Sequence, residues 1–319
     1  MQDTRATLTA EGECPIGQES DDCPGFDRFA FARFIANQEC AQAFVGVVDD
    51  AWLQGWHESN GGNLSYRLRE EERDAYHRYL EKPLGGSKWT DLDCSVPELA
   101  GEYFLVTAAG SHFRTVRRKS SATTGLVEIR GDGKAWRVIG GFEGQGVVGR
   151  SFGKPTSEFA AHVAVHAARK RISQGRSRAV YHAHPAQVIA LTAVLPQDSR
   201  TVSRILWKSL TESILVIPEG VGVLPWMVPG SGGLAQATSA LMEKHAAVLW
   251  PWHGLCCAAD SLEGAFGLVH TIEKASSIYL RARAAHKQQE DELPHSISDA
   301  QLLEAAQAFG VALNKDFLA

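Results

Sequence analysis

Apolar residues follow a helical period soon after the polar first stretch of the chain. From Phe26 onward they recur every three to four positions, which is the spacing that buries one face of a helix. This pattern predicts one or two helices that end near Gly55. A turn at residues 60–63 (NGGN) follows, and residues 64–68 have the composition of a short strand.

Short apolar runs later in the chain predict further strands. Two of these runs flank residues 131–133 (GDG), a sequence that is typical of a hairpin turn. Another run, AVYHAH, predicts a buried strand that leads into a helix at residues 185–195. The predicted strands are residues 103–107, 126–129, 135–139, 179–184, 214–217 and 246–250.

Three helices are predicted from their first residues. Residues 155–158 (PTSE) open one helix, because hydroxyl groups accept hydrogen bonds from free N–H groups and a carboxylate suits the positive end. Residues 260–263 (DSLE) form a capping box for a long amphipathic helix that reaches about residue 285. Ser298 and Gln301 cap a last helix, which we expect to stop at Gly310.

The alternation of strands and helices predicts a layered α/β fold. Residues 1–25 are polar and interrupted by Gly and Pro without any periodicity, so we expect a disordered arm there. Neither an internal repeat nor a clean linker divides residues 26–319. We therefore interpret these residues as one domain.

Composition narrows the class of protein. The chain is 44% hydrophobic and 22% charged, which is typical of a globular protein, and its net charge of −5 argues against a broad nucleic-acid-binding surface. The apolar runs are too short to span a membrane, and the acidic first residues lack the apolar core of a signal peptide. The six scattered cysteines form no C-x-x-C pair, so we interpret them as reduced thiols of a cytoplasmic protein.

The strongest local chemical signal is a pair of histidines, His182 and His184. Side chains at positions i and i+2 of a strand point to the same face, so both imidazoles can reach one metal ion. The alternative is a pair of hydrogen-bonded histidines at a strand end. His253 follows another predicted strand, and it is either a third ligand or a loop histidine that bonds the backbone.

Other residues carry weaker signals. Glu158 either stabilises the start of its helix or moves a proton beside a metal-bound carbonyl compound. The turns at residues 60–63 and 109–111 can bring backbone N–H groups close to a phosphate, although neither matches the nucleotide-binding loop GxxxxGK[ST]. From its surroundings alone, Glu212 is a surface carboxylate.

Taken in order, these segments resemble the class II aldolase/adducin family. The resemblance spans roughly residues 27–315. Its most specific part is LPWMVPG at residues 224–230, which the wider family lacks. The segments that carry it are residues 61–65 (GGNLS), 155–158 (PTSE), 182–185 (HAHP), 218–230 (PEGVGVLPWMVPG), 250–254 (WPWHG) and 266–269 (FGLV).

The resemblance implies a fold and a set of site residues. The fold is a three-layer αβα domain with a central mixed, largely antiparallel sheet, assembled into a ring-shaped homotetramer. Zinc is held by His182, His184 and His253, Glu158 is the catalytic acid/base, and Glu212 is a second carboxylate that reaches a neighbouring subunit's site. The positions that match the phosphate-binding end are Asn60, Gly62, Asn63, Gly110, Thr156 and Ser157.

The implied activity is retro-aldol cleavage of a sugar phosphate. The run at residues 224–230 points to L-rhamnulose 1-phosphate, which would yield dihydroxyacetone phosphate and L-lactaldehyde. Alternatives within the family are a fuculose-phosphate aldolase and a pentulose-phosphate 4-epimerase, and an alternative of another class is a non-catalytic, adducin-like scaffold. One departure concerns the phosphate turn, where the family's Thr-Gly-Ser-Gly is replaced by TAAG at residues 107–110 and Ser111 is the nearest hydroxyl.

Overall fold

The computed structural model describes residues 30–77, 88–142, 153–286 and 291–318. The disordered arm expected at residues 1–25 lies outside these ranges, and the assignment of residues 26–319 to one domain stays a prediction. No helix in the described ranges has both the length and the apolar character needed to cross a lipid bilayer.

A single mixed sheet forms the centre of the structure. Its strands β1 to β9 are Asn63–Arg67, Thr90–Asp91, Tyr103–Thr107, Thr124–Ile129, Ala135–Gly141, Ala179–Ala183, Gly222–Val223, Ala247–Trp250 and Gly254–Ala259. The strand order is β2-β5-β4-β3-β1-β6-β9-β8-β7. Seven of the eight strand pairings are antiparallel, and only β7 and β8 run parallel. The largely antiparallel mixed sheet is therefore confirmed.

Helices cover both faces of this sheet. The α-helices α1 to α12 of the described residues are Ala30–Asn37, Glu39–Leu53, Glu70–His77, Phe113–Val116, Ser120–Thr123, Phe159–Ile172, Ala186–Val194, Ser199–Ser209, Glu212–Val216, Gly232–Leu241, Leu262–His286 and Asp299–Phe309. Helices α2, α7, α8 and α11 pack on one face, whereas α6 and α10 pack on the other. The arrangement gives the expected three αβα layers.

The inner strand β6 shows why the chain folds into three layers. Its alternate residues enter two different cores: Tyr181 packs with α2, α7 and α11, whereas Val180 packs with α6 and α10. Because both faces are covered, all five residues of the strand are buried. A strand that is buried on both faces needs a continuous apolar run, and this accounts for the sequence pattern that predicted it.

Several predicted helix boundaries are confirmed. The two expected N-terminal helices are α1 and α2, and Ser298 and Gln301 form the capping box of α12. Gly310 follows α12 in a left-handed conformation (φ 66°), which glycine adopts without steric cost. At α11 the side chain that caps the helix is Ser261, whose Oγ accepts a hydrogen bond from the backbone N–H of Gly264 at 3.0 Å.

The strand predicted at residues 214–217 is wrong, because this segment is the short helix α9. The backbone N–H of Ile217 donates to the carbonyl of Ser213 at 2.9 Å, which is a helical contact. Ile214 is fully buried, and α9 packs against α11. A run of four apolar residues is too short to distinguish a strand from a buried helical turn, so tertiary packing decided its conformation.

Candidate active site

Three elements of the sheet bring the histidines to one place. His182 lies near the end of β6, and His184 comes directly after that strand, just before α7. Strand β9 pairs with β6 in antiparallel register, with Ala183 opposite Leu255. The tight turn between β8 and β9 carries His253 and therefore lies beside the end of β6.

The three imidazoles converge through their Nε2 atoms. The Nε2 atom of His182 lies 3.0 Å from that of His184 and 3.3 Å from that of His253. One ligand atom from each of the three rings lies within 4.8 Å of the other two. His253 and His182 are 71 positions apart in the sequence, so only the pairing of the strands brings them together.

The opposite ring nitrogens show which tautomers are present. The Nδ1 atom of His182 donates to the carbonyl of Leu255 at 3.1 Å, and that of His184 donates to the Glu58 carboxylate at 2.7 Å. The Nδ1 atom of His253 is buried without a hydrogen-bond partner among the described residues. Because the first two rings carry their protons on Nδ1, their Nε2 lone pairs face the shared point, and the donor set fits a metal ion such as zinc.

The electrostatic environment favours neutral imidazoles. Burial lowers the pKa of His182 well below its usual value, and the neighbouring His184 and His253 add to this effect. Burial also lowers the pKa of His253 to about 4, again assisted by His184. A neutral imidazole is the form that binds a metal, so both rings are in that form near neutral pH.

Glu158 lies beside the cluster, at the N-cap position directly before α6. Its Oε2 atom is 3.7 Å from Nε2 of His182, and its Oε1 atom is 4.0 Å from Nε2 of His253. The residue is only 7% exposed. Burial raises the pKa of the Glu158 carboxyl, while a hydrogen bond of 2.7 Å from Nδ2 of Asn63 acts in the opposite direction. Glu158 is therefore positioned to exchange a proton with a ligand in this pocket.

A buried hydrogen-bond chain lies behind Glu158, and sequence reasoning did not identify it. A ring nitrogen of His162 donates to Oδ1 of Asn63, and Oγ of Ser65 lies 2.6 Å from the other nitrogen of that ring. Nε2 of His166 donates to the same Ser65 Oγ at 2.9 Å. These directions are mutually consistent only when the Asn63 amide nitrogen faces Glu158.

The predicted phosphate-binding residues lie in the same pocket as the histidines. This cavity measures about 130 Å³, and the described residues that line it include neither Lys nor Arg. Gly62 has φ 77°, and a Cβ atom there would lie 2.2 Å from the ring of His57, so only glycine fits. The lining residues are Asn60, Gly61, Gly62, Asn63, Ala108, Gly110, Thr156, Ser157, Glu158, His182, His184 and His253.

Glu212 is the predicted site residue that lies elsewhere. It is exposed at the start of α9 and lines a separate cavity of about 410 Å³. The other residues of that cavity are Leu210, His270, Thr271 and Lys274. Within one chain, the structure does not bring Glu212 to the three histidines.

The turn at residues 60–63 is held by a histidine that sequence reasoning also missed. Nδ1 of His57 donates to the carbonyl of Gly61 at 2.9 Å, and Nε2 of His57 accepts from the Tyr181 hydroxyl at 2.7 Å. The ring lies against Phe113, with centroids 3.8 Å apart. The only sequence signal for this role is the position of His57 three residues before the turn.

The mixed αβα fold thus carries a cluster of three histidines that could hold a metal ion, with a buried carboxyl beside it. Residues 42–280 match the sequence profile of the "Class II Aldolase and Adducin N-terminal domain". The chain belongs to this family, and it is a class II aldolase, an enzyme of a metal-dependent class that breaks carbon–carbon bonds.

Its similarity extends to particular enzymes of known activity. The chain is 36% identical to rhamnulose-1-phosphate aldolase of Escherichia coli O1:K1 over 271 residues, which cover 85% of this chain and 93% of that protein. The chain is 35% identical to the rhamnulose-1-phosphate aldolase of Enterobacter sp. strain 638 over 285 residues, which cover 89% of this chain and 98% of that protein. Because these relatives are enzymes, the alternative of a non-catalytic scaffold is set aside.

Solved structures show the same fold. A sugar-phosphate aldolase from Thermotoga maritima superimposes with a TM-score of 0.63 at 26% identity, covering 82% of this chain and 99% of that one. L-fuculose 1-phosphate aldolase from Glaciozyma antarctica PI12 superimposes with a TM-score of 0.52 at 18% identity, and the match covers 89% of this chain and 86% of that one. At 18% identity, the second comparison shows only that the fold is shared.

Proposed function

We propose that this enzyme cleaves L-rhamnulose 1-phosphate into dihydroxyacetone phosphate and L-lactaldehyde by zinc-dependent retro-aldol chemistry. The observation that carries the proposal is the convergence of three imidazoles beside a buried carboxyl, Glu158, in one pocket. The substrate is inferred from the identity of 36% to the rhamnulose-1-phosphate aldolase of Escherichia coli. We further propose a cytoplasmic location, supported by the free thiols of the four described cysteines.

His182, His184 and His253 are the proposed zinc ligands. Three neutral nitrogen donors would leave a bound divalent ion its full charge, which is the form that acts on a substrate oxygen. A zinc ion held there would act as a Lewis acid that stabilises negative charge on the oxygens of the substrate. The protein's contribution is to hold the three lone pairs toward one point, through the sheet register and the Nδ1 contacts of His182 and His184.

Glu158 is the proposed proton donor. Breaking the bond between C3 and C4 leaves an electron pair on C3, and that carbon must receive a proton to become dihydroxyacetone phosphate. Burial raises the pKa of the Glu158 carboxyl, so this group holds a proton more readily than an exposed carboxyl does. This supports Glu158 as the donor of that proton. Nδ2 of Asn63 donates a hydrogen bond of 2.7 Å to Oε2 of Glu158. We therefore assign the proton transfer to the other oxygen, Oε1.

The proton of the C4 hydroxyl must leave as the aldehyde forms. We assign its removal to Glu212 of a neighbouring subunit in a homotetramer, which balances the proton that Glu158 delivers. Within one chain Glu212 lies in a different cavity from the histidines, and its exposure at the start of α9 leaves it accessible to a second subunit. The family resemblance supports this assignment.

The phosphate group of the substrate is proposed to lie at the start of α6. The backbone N–H groups and the dipole of this helix favour an anion. Asn63 already donates one amide hydrogen to Glu158, so one N–H of that amide remains for the phosphate. The proposed contacts come from Asn60, Gly62, Asn63, Gly110, Thr156 and Ser157, all of which line the pocket.

A side-by-side assay of three sugar phosphates tests the proposal. Purified, zinc-loaded enzyme is incubated separately with L-rhamnulose 1-phosphate, L-fuculose 1-phosphate and a pentulose 5-phosphate. We expect dihydroxyacetone phosphate to form fastest from L-rhamnulose 1-phosphate. Faster cleavage of the fuculose ester, or epimerisation of the pentulose phosphate without cleavage, would assign the enzyme to another activity of its family.

A further inference from the structure

We propose that Glu58 is a positioning residue of the metal centre, which holds His184 in the tautomer and orientation that the metal requires and thereby sets the affinity for zinc. The inference rests on the proposed function, because it assumes that His184 is a metal ligand. It adds a residue that neither the histidine pattern nor the family motifs single out.

The contact between the two side chains fixes the proton on His184. Oε1 of Glu58 lies 2.7 Å from Nδ1 of His184. A carboxylate only accepts hydrogen bonds, so Nδ1 of His184 must be the donor. The lone pair of His184 is then on Nε2, the atom that lies 3.0 Å from Nε2 of His182.

His184 has fewer structural restraints than the neighbouring ligand. The side chain of His182 lies within β6 and is 1% exposed, whereas that of His184 lies beyond the end of the strand and is 13% exposed. The backbone N–H of His184 donates to the carbonyl of Trp56 at 3.0 Å. The short segment from Trp56 to Glu58 therefore holds both the backbone and the ring of this ligand.

The turn that follows Glu58 is shaped to leave room for this contact. A Cβ atom at Gly61 would lie 2.7 Å from Oε1 of Glu58 and 2.8 Å from the ring of His184, so any side chain there would push between them. The carbonyl of Gly61 accepts a hydrogen bond from His57, which holds the turn in place. The carboxylate and the imidazole thus meet in a space that the backbone keeps open for them.

The three ligands differ in what supports their outer nitrogen. His182 donates to a neutral carbonyl and His253 has no partner among the described residues, whereas His184 donates to a carboxylate. A carboxylate fixes the ring orientation and raises the basicity of the metal-binding nitrogen, and loss of such a partner typically costs roughly 10- to 100-fold in metal affinity. Glu58 is the one such carboxylate in the described part of this site.

Metal affinity measured on the full-length enzyme tests the proposal. Zinc-free protein is titrated with zinc in competition with a chromophoric chelator, for the wild type, Glu58→Gln and Glu58→Ala. We expect the dissociation constant to rise roughly 10-fold in Glu58→Gln and up to 100-fold in Glu58→Ala, because Gln keeps an acceptor but loses the charge. Glu304→Gln, which removes another exposed carboxylate, on α12, is the matched control and should bind zinc as the wild type does.

A second readout separates positioning from a general effect on the fold. The Glu58 side chain is 69% exposed, so its replacement should leave the melting temperature of the zinc-free protein unchanged. Nitrogen NMR of the His184 ring should show a proton on Nδ1 in the wild type and a mixture of tautomers in Glu58→Ala. Wild-type zinc affinity in both Glu58 variants would overturn the role of Glu58 alone, whereas a wild-type chain that binds no zinc would overturn the proposed function as well.

Discussion

The two ends of the pocket are built in different ways. At the proposed metal end, the functional atoms belong to His182 on β6, His184 directly after it and His253 on the turn between β8 and β9, and strand pairing brings these three segments together. At the proposed phosphate end, the residues lie in turns and at a helix start, and Asn60, Gly110 and Ser157 are exposed. The metal end is therefore a fixed set of side chains, whereas the phosphate end depends largely on the backbone.

This difference predicts how each end responds to mutation. Removing an imidazole would delete one of the three proposed metal ligands. Removing a hydroxyl at the phosphate end leaves the backbone N–H groups and the helix dipole in place. Changes at the metal end should therefore abolish the chemistry, whereas changes at the phosphate end should weaken substrate binding.

The largest expected effect is at His182, which is the most buried ligand. We expect His182→Ala to lose stoichiometric zinc and to reduce kcat/KM by about 1,000-fold or more, because several kcal/mol of charge stabilisation disappears. Elemental analysis together with steady-state kinetics measures both quantities. A variant that keeps zinc and normal turnover would remove His182 from the metal site.

Glu158→Gln should separate proton transfer from metal binding. This substitution keeps the shape of the side chain but cannot deliver the proton, so we expect kcat to fall roughly 100- to 10,000-fold. Zinc content and thermal stability should stay close to those of the wild type, since the three histidines are unchanged. Near-normal turnover by folded, zinc-loaded Glu158→Gln would show that the proton comes from another group.

The histidines behind the metal end should make the fold sensitive to acid. Burial lowers the pKa of His162 to about 3, so in the folded state it stays neutral where an unfolded histidine takes up a proton. Unfolded chains therefore bind more protons between pH 6.5 and about 3, and the free energy of unfolding should fall as the pH falls through this window. The loss attributable to His162 is on the order of a few kcal/mol.

Denaturant unfolding between pH 7 and pH 4 measures this effect. His162→Gln removes the titrating group but keeps a hydrogen-bond donor near Asn63, so its stability should depend less steeply on pH than that of the wild type. Equal pH slopes for the two proteins would mean that His162 is not buried in its neutral form.

The smallest expected effect is at Ser157, at the exposed side of the phosphate end. We expect Ser157→Ala to raise KM about 10-fold with little change in kcat, because one hydrogen bond to a charged group is lost in the bound and transition states alike. Zinc content should not change. A loss in kcat equal to that of Glu158→Gln would show that the two ends are not separate in function.

Much of the metal end could be predicted from local sequence. His182 and His184 are two positions apart, so their side chains share one face if their segment is a strand. The apolar run before them predicts a strand there. The sequence PTSE at residues 155–158 predicts that Glu158 lies at the start of a helix. By contrast, the pairing of Glu58 with His184 joins positions 126 residues apart, and it depends on the path of the turn at residues 60–63.

Other features could not be predicted, because they depend on packing rather than on local pattern. Ser65 lies on β1 and His162 on α6, 97 positions apart, so their hydrogen bond follows from how that helix crosses the sheet. The helix α9 replaced an expected strand because it packs against α11. The proposed role of Glu212 requires a neighbouring subunit, because within one chain Glu212 lines a different cavity from the three histidines.

The proposed zinc site of three histidines is best tested by titrating zinc-free enzyme with zinc while cleavage of L-rhamnulose 1-phosphate is followed at each addition. We expect negligible activity without metal and a linear rise that reaches its plateau at one zinc ion per chain. Full activity in metal-free protein would contradict the proposed zinc site, as would a plateau that is unchanged when His182, His184 and His253 are all replaced.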